Sequence, residues 1–68
     1  MGERISLRAA RVNRNMNQTQ AANAIGVSDR TLSRWEQGDA YPRSDQFLEL
    51  CKLYGVSADS IILRKDFG

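Results

Sequence analysis

Helix breakers recur at short intervals along this chain, and their spacing limits what it can fold into. The breakers are Asn15, Gly26, Gly38, Pro42 and Gly55. An N-cap candidate follows each of them within a few residues. No segment shows the sustained alternation of apolar and polar residues that is typical of a strand. The sequence therefore predicts an all-α fold of short helices.

Five short helices are predicted. The first spans 4–14 and ends before Asn15, which suits a left-handed backbone. The second spans 18–25, between an Asn17 cap and Gly26, and the third spans 29–36 after a Ser28 cap. The fourth begins at Pro42 or Arg43 and ends before Gly55, and the fifth runs from a Ser57 cap to about Leu63. Helical spacing predicts these inward-facing side chains: Leu7, Ala10, Arg11, Ala21, Ala22, Ile25, Leu32, Trp35, Phe47, Leu50, Cys51, Tyr54, Ile61 and Ile62.

Length and composition exclude several classes of protein. The 68 residues suit a single domain, and 41% hydrophobic with 26% charged residues is typical of a soluble globular chain. No run approaches the ~20 apolar residues of a membrane span, and the N-terminus lacks the apolar region of a secretory signal. With one cysteine and no histidine, a disulfide framework, a zinc site and a histidine triad are excluded within one chain. We therefore expect a cytoplasmic protein that is not an enzyme, with no catalytic residue, metal, cofactor, small-molecule ligand or membrane contact.

Positive charge is concentrated in the first half of the chain. Residues 1–34 carry six arginines against two acidic residues, whereas 35–68 carry four cations against six acidic residues. Arginine is the side chain that pairs in bidentate fashion with phosphates and guanine edges. An anionic partner is therefore indicated, although many small basic proteins bind no nucleic acid.

The segment 17–38 carries the most informative pattern. Two predicted helices of about equal length are joined by a tight Gly26-Val27-Ser28 turn, with Ala22 where the helices would touch. The small Ala22 and Gly26 would permit a close crossing. This pattern predicts a helix-turn-helix over about 17–36, in which the second helix projects into a major groove ~12 Å wide.

The same residues resemble the phage Cro/CI repressor family, also called the XRE family. The matching positions run from about Leu7 to Ile62 and include Gln18, Gly26-Val27-Ser28, Leu32-Ser33-Arg34-Trp35-Glu36, Gly38, Pro42 and Tyr54-Gly55-Val56-Ser57. The resemblance implies a lambda-repressor-like fold of five helices in one DNA-binding domain, 1–68. It also implies a homodimer that binds double-stranded DNA at a near-palindromic operator.

The outward face of the third helix is the candidate base-reading surface. If Leu32 and Trp35 face inward, the side chains that face outward are polar, and we expect base contacts from Ser28, Asp29, Arg30, Ser33 and Arg34. A solvated helix face would look the same outside this motif. Asp29 would repel phosphate unless it accepts a hydrogen bond, for example from a cytosine amino group.

Two helix N-termini and the loop between 38 and 42 are the candidate phosphate contacts. Free N–H groups and the helix dipole favour anions at such ends. The resemblance places Gln18 at the DNA backbone, although Asn17 and Gln18 also suit a simple capping role. The expected phosphate contacts are Asn17, Gln18, Gln37, Tyr41, Arg43 and Ser44.

Four inward-facing residues have competing interpretations. Arg11 and Glu36 fall on inward faces, where charges must be paired, and the resemblance places them in contact as a structural ion pair. Trp35 is better explained by the core than by base stacking, because it is spaced from Leu32 at a helical interval. Cys51 lies on a packed face, which favours an inert thiol over a redox sensor.

Dimerisation is predicted to use the C-terminal third of the chain. A helix cannot bury Ile61, Ile62 and Leu63 together, since successive side chains are ~100° apart. Ile61 is assigned to the core, which leaves Ile62 or Leu63 for a partner. The expected interface residues are Val56, Ser57, Ala58, Ile62 and Leu63.

Two functions remain in competition. The first is a sequence-specific DNA-binding transcriptional regulator, similar to a Cro/CI repressor or a restriction controller. The second is a protein-interaction module of the antitoxin type, which binds a partner protein with or without DNA. DNA binding requires the basic charge on the face presented by Gln18, Arg30, Arg34 and Arg43. The number of arginines favours DNA.

Overall fold

Four α-helices make up most of residues 4–63, the part of the chain that the computed structural model describes. In chain order the elements are β1 (Ile5–Ser6), α1 (Leu7–Asn13), α2 (Gln18–Ile25), α3 (Asp29–Gln37), α4 (Ser44–Tyr54), a 3₁₀ turn (Ala58–Ser60) and β2 (Ile61–Ile62). None of the helices within 4–63 combines the length and apolar character needed to cross a bilayer.

Side-chain caps set the beginnings of the first three helices. Ser6 Oγ accepts the Ala9 N–H over 3.0 Å, so α1 begins three residues later than the predicted start at Arg4. Asn17 caps α2 as predicted, and Oδ1 of Asn17 accepts the Gln20 N–H over 2.7 Å. Ser28 caps α3 as predicted, through the Thr31 N–H at 3.1 Å. Asn15 has φ of 60°, as expected for the residue that closes the first helix.

Gly26 is required for its backbone conformation. Its φ is 78°, in the left-handed region, and a Cβ built on it would meet nothing within 4 Å. The expectation that Gly26 permits close helix crossing is therefore wrong, whereas the neighbouring Ala22 is fully buried. The turn needs glycine because an L side chain is disfavoured at this φ, and not because space is short.

Replacing Gly26 with alanine is expected to lower the free energy of unfolding by ~1–2 kcal/mol, because Cβ is disfavoured in the left-handed region. Gly26→Asn should lower it less, since asparagine tolerates this region better. Urea denaturation measures both, with exposed Asn23→Ala as the matched control on α2. Equal losses for alanine and asparagine would contradict the conformational explanation.

The predicted fifth helix is wrong. Ala58–Ser60 forms one 3₁₀ turn, and the following Ile61–Ile62 is a strand. It pairs in parallel with β1, with Ile5 opposite Ile61 and Ser6 opposite Ile62. Consecutive β-branched isoleucines favour extended backbone, and β1 supplies the pairing partner. The expectation of no strand is wrong for the same reason.

All the helices and β2 contribute to one core. Its buried members are Leu7, Ala10, Ala21, Ala22, Leu32, Trp35, Leu50, Cys51, Tyr54 and Ile61. Each of them was predicted to face inward. Ile25 and Phe47 are only half-buried and pack at the edge of this core. The prediction that Ile62 faces inward is wrong, because Ile62 belongs neither to this core nor to its edge. Leu32 and Trp35 anchor α3, so the opposite side of that helix faces solvent.

Candidate nucleic-acid interface

The polar side chains of α3 lie on the side opposite its core anchors. Ser28, Asp29, Arg30 and Arg34 are exposed and Ser33 is half-buried. Leu32 is fully buried and Trp35 is 6% exposed, which excludes Trp35 as a stacking platform for bases. The helix therefore presents one polar face bearing two arginines and one carboxylate.

An ion pair joins α1 to the end of α3. Arg11 Nε lies 2.7 Å from Glu36 Oε2, and Arg11 Nη2 donates to Glu36 Oε1 over 3.2 Å. The side chains are 10% and 4% exposed. Arg11 Nη1 also donates to the Met16 carbonyl over 2.9 Å. The hydrogen bond to Glu36 raises the pKa of Arg11, which is opposed by burial. The pair satisfies two charges that would otherwise be buried alone.

Glu36 also holds Gln18. Gln18 Nε2 donates to Glu36 Oε1 over 3.0 Å, so this carboxylate accepts from side chains of both α1 and α2. Gln18 is half-buried at the first position of α2. Its amide is thus held beside α3 by the same carboxylate that pairs with Arg11.

A polar cleft brings three of the predicted DNA contacts together. Gln18, Ser33 and Gln37 line it, beside the Arg11–Glu36 pair and Arg8. Gln37 Nε2 donates to Ser33 Oγ over 3.1 Å. Arg8 is exposed and was not among the predicted site residues. A signal was present, since Arg8 lies one turn before Arg11 on the same helix.

Asp29 has a partner in the other helix of the unit. Thr19 Oγ1 donates to Asp29 Oδ2 over 2.7 Å. The sequence pattern suggested only a donor from DNA for this carboxylate, whereas the structure provides one within the chain. Thr19 and Asp29 are separated by the Gly26–Ser28 turn, so no local pattern indicates the contact.

The other phosphate candidates lie at helix ends and in the following loop. Asn17 is exposed, and its side-chain oxygen is used by the α2 cap. Arg43 occupies the N-cap position of α4, with Ser44 as the first helical residue. Both are exposed, and Tyr41 is 60% exposed.

Arg43 forms an ion pair at the start of α4. Its Nε lies 3.3 Å from Asp45 Oδ1, and the side chains are 75% and 71% exposed. The hydrogen bond from Arg43 lowers the pKa of Asp45. An ion pair so exposed to solvent contributes little to stability, and an anion in solution can compete with Asp45 for the guanidinium.

Tyr54 is a buried polar residue whose pKa is affected by the charges of Glu36 and Arg11. Its ring is 2% exposed, and within residues 4–63 its hydroxyl has no hydrogen-bond partner. Burial, with the Glu36 carboxylate, raises the pKa of Tyr54 to about 12. An unfolded tyrosine has a pKa of ~10. The raised pKa of Tyr54 in the fold therefore contributes to the free energy of unfolding below pH ~10, and this contribution is lost as the pH rises towards 12.

The predicted dimer residues fall into three groups. Val56, Ala58 and Leu63 are half-buried and pack against the core. Ser57 is exposed, and its hydroxyl lies 2.9 Å from that of Ser60. Ile62 is also half-buried but is not part of the core or its edge. Strand alternation explains this, because Ile61 points inward and Ile62 must then point away.

Metal binding and thiol chemistry are two further properties that the described residues could have. Within residues 4–63 no three His, Cys, Asp or Glu side chains cluster in a way that could hold a metal ion. Cys51 is a free thiol, 4% exposed, and burial raises its pKa. A raised pKa lowers the thiolate fraction, so this cysteine is a packing residue.

Comparison with known proteins agrees with this geometry. A helix-turn-helix family model matches residues 7–61, which contain α2, the Gly26–Ser28 turn and α3. The chain belongs to the XRE-type helix-turn-helix family. The family resemblance inferred from the sequence is thus confirmed.

Two curated relatives are similar to this helix-turn-helix chain. It is 36% identical over 56 residues to the cryptic phage CTXphi transcriptional repressor RstR of Vibrio cholerae, covering 82% of this chain and 50% of the relative. It is 30% identical over 56 residues to the HTH-type transcriptional activator BcrR of Enterococcus faecalis, covering 82% and 28%. The chain therefore spans half the length of the first relative and less of the second. No solved structure matches significantly.

Proposed function

We propose that this chain is a sequence-specific regulator of transcription that binds double-stranded DNA by placing α3 in the major groove. The polar face of α3 carries the proposal, because Leu32 and Trp35 anchor the helix while Asp29, Arg30 and Arg34 remain exposed. A helix in the major groove meets base edges along such a face, and arginine binds guanine O6 and N7.

The two sets of polar residues have different roles in this proposal. Ser28, Asp29, Arg30, Ser33 and Arg34 read bases. The phosphate contacts come from Asn17, Gln18, Gln37, Tyr41, Arg43 and Ser44. Support comes from their places in the fold: Gln18 and Ser44 begin α2 and α4, where free N–H groups favour an anion. Phosphate contacts position the helix, and base contacts specify the sequence.

Regulation of transcription is proposed from the names of the relatives. One is described as a repressor and the other as an activator. We therefore propose a regulator without assigning the sign of regulation, because a repressor and an activator both have to occupy a specific site.

The proposed binding unit is a homodimer on a near-palindromic site. A two-fold axis would place two copies of α3 about one helical turn apart, ~34 Å. Ile62 supports the choice of surface, since this half-buried apolar residue lies outside the core. The other residues of the proposed interface are Val56, Ser57, Ala58 and Leu63.

Selection from random duplexes tests the proposal. The full chain should enrich one near-palindromic sequence and bind it with two chains per duplex. Log K should fall with log salt by several units, at about −0.9 per neutralised phosphate. A folded chain that enriches no sequence and shows no salt dependence would exclude DNA binding and favour the protein-interaction module.

Replacing Arg43 with alanine should weaken binding to all sequences alike. The expected salt slope becomes shallower by about one unit per chain, because one phosphate contact is lost. Stability should change little, since the Arg43–Asp45 pair is exposed. Binding isotherms at three salt concentrations measure the slope, with exposed Lys52→Ala on α4 as the matched control. A changed base preference would assign Arg43 to the base-reading set instead.

A further inference from the structure

A hydrogen bond on the surface joins the two helices of the helix-turn-helix unit. Thr19 is the second residue of α2 and Asp29 is the first residue of α3. Thr19 Oγ1 donates to Asp29 Oδ2 over 2.7 Å, and both residues are exposed. Neither residue belongs to the core, so this bond is not needed to bury apolar surface.

The hydrogen bond from Thr19 restricts the orientation of the Asp29 carboxylate. A carboxylate accepts hydrogen bonds through two oxygens and has no donor. In Asp29, Oδ2 accepts the hydrogen bond from Thr19, and Oδ1 is the second acceptor atom. An exposed side chain without such a contact loses rotamer freedom when it binds. The hydrogen bond from Thr19 restricts the rotamers of Asp29 before DNA binds. It therefore holds the second carboxylate oxygen, Oδ1, in a defined position.

The position of the Asp29 carboxylate at the start of α3 is important for base recognition. Asp29 begins α3, and the N-terminal residues of a recognition helix contact base edges. Its neighbour Ser28 differs, because its hydroxyl bonds Thr31 within the same turn. Among the first residues of α3, Asp29 is thus the one whose side chain is positioned by α2.

The chemistry of an acceptor selects among bases. Guanine presents O6 and N7 in the major groove and thymine presents O4, which are acceptors and repel a carboxylate. Adenine presents an amino donor beside the N7 acceptor. Cytosine presents the N4 amino donor with no neighbouring acceptor, and it is the base that aspartate contacts.

We propose that Asp29 accepts a hydrogen bond from a cytosine amino group at one position of the bound site, and that Thr19 is the positioning residue that holds its carboxylate. This inference rests on the proposed function. It adds a specificity determinant in α2, outside the outward face of α3.

The test uses the duplex that the full chain selects, with each position changed in turn to the four base pairs. The wild-type chain should prefer cytosine at one position by about tenfold. Asp29→Asn should change that preference to adenine, because asparagine pairs with adenine N6 and N7. Thr19→Val and Thr19→Ala lack the hydroxyl and should reduce the cytosine preference about threefold. Thr19→Ser keeps the hydroxyl and should retain the preference.

Thermal melts of every variant separate positioning from folding. The inference is supported if the Thr19 variants keep their melting temperature and lose preference at that position alone. It is overturned if Asp29→Asn leaves every base preference unchanged, or if Thr19→Val and Thr19→Ala weaken all sequences alike. Those results would leave DNA binding by the chain intact. A wild-type chain that selects no duplex would instead refute the proposed function.

Discussion

Replacing Arg11 with alanine is expected to lower the free energy of unfolding by ~3–5 kcal/mol, because it leaves the Glu36 carboxylate buried without its cation. Glu36 is 4% exposed and would keep only the hydrogen bond from Gln18. The Met16 carbonyl would also lose its donor. Small domains have a total stability of about 5 kcal/mol, so the variant should keep only ~0–2 kcal/mol and melt far below the wild type. Urea denaturation followed by circular dichroism measures the loss.

Arg8→Ala is the matched control for Arg11. Arg8 lies one turn earlier on α1 and is exposed, so its removal should leave the melting temperature unchanged. Replacing Arg11 and Glu36 together with Met and Leu should restore much of the stability, since no charge is then left unpaired. If Arg11→Ala melts like the wild type but loses DNA affinity, Arg11 belongs to the DNA-binding surface and not to the fold.

Replacing Ile62 with serine is expected to reduce affinity for the full near-palindromic site by about 100-fold, towards the half-site value. The reason is that the two copies of α3 would no longer be linked through the proposed interface. The monomer should stay folded, because Ile62 lies outside the core. Titration of full-site and half-site duplexes, with sedimentation of the free protein, measures both effects.

Two controls identify what Ile62 does. Val12→Ser removes an apolar side chain that is 51% exposed on α1, outside the proposed interface, and should leave both affinities unchanged. Leu63→Ser should lower the melting temperature, since Leu63 packs against the core. A full-site affinity that survives Ile62→Ser would show that the dimer forms through another surface.

The middle of the fold was the most predictable part. The bounds of α2 agree with the prediction, and α3 extends one residue further. Their caps and stops, Asn17, Gly26 and Ser28, act on backbone groups within four residues, so they can be recognised in the sequence. The Ser6 cap is the same kind of signal and was missed, which made the first helix too long.

The candidate site was predictable in part. Periodicity places Arg30 and Arg34 opposite Leu32 and Trp35, and the structure has this arrangement. The Thr19–Asp29 bond and the position of Arg8 in the polar cleft were not predicted. Both depend on how α1 and α2 cross α3, and that geometry comes from packing around the core.

By itself, the sequence determined the helices that have local stop signals, the helix-turn-helix family and the polar face of α3. The tertiary structure alone decided that the predicted fifth helix is a 3₁₀ turn followed by a strand, because Ile61–Ile62 pairs with Ile5–Ser6 at the other end of the described chain. It also decided that Ile62, and not Leu63, lies outside the core. Helix caps act across a few residues, whereas strand pairing and interhelical hydrogen bonds join distant residues that only the packed core brings together.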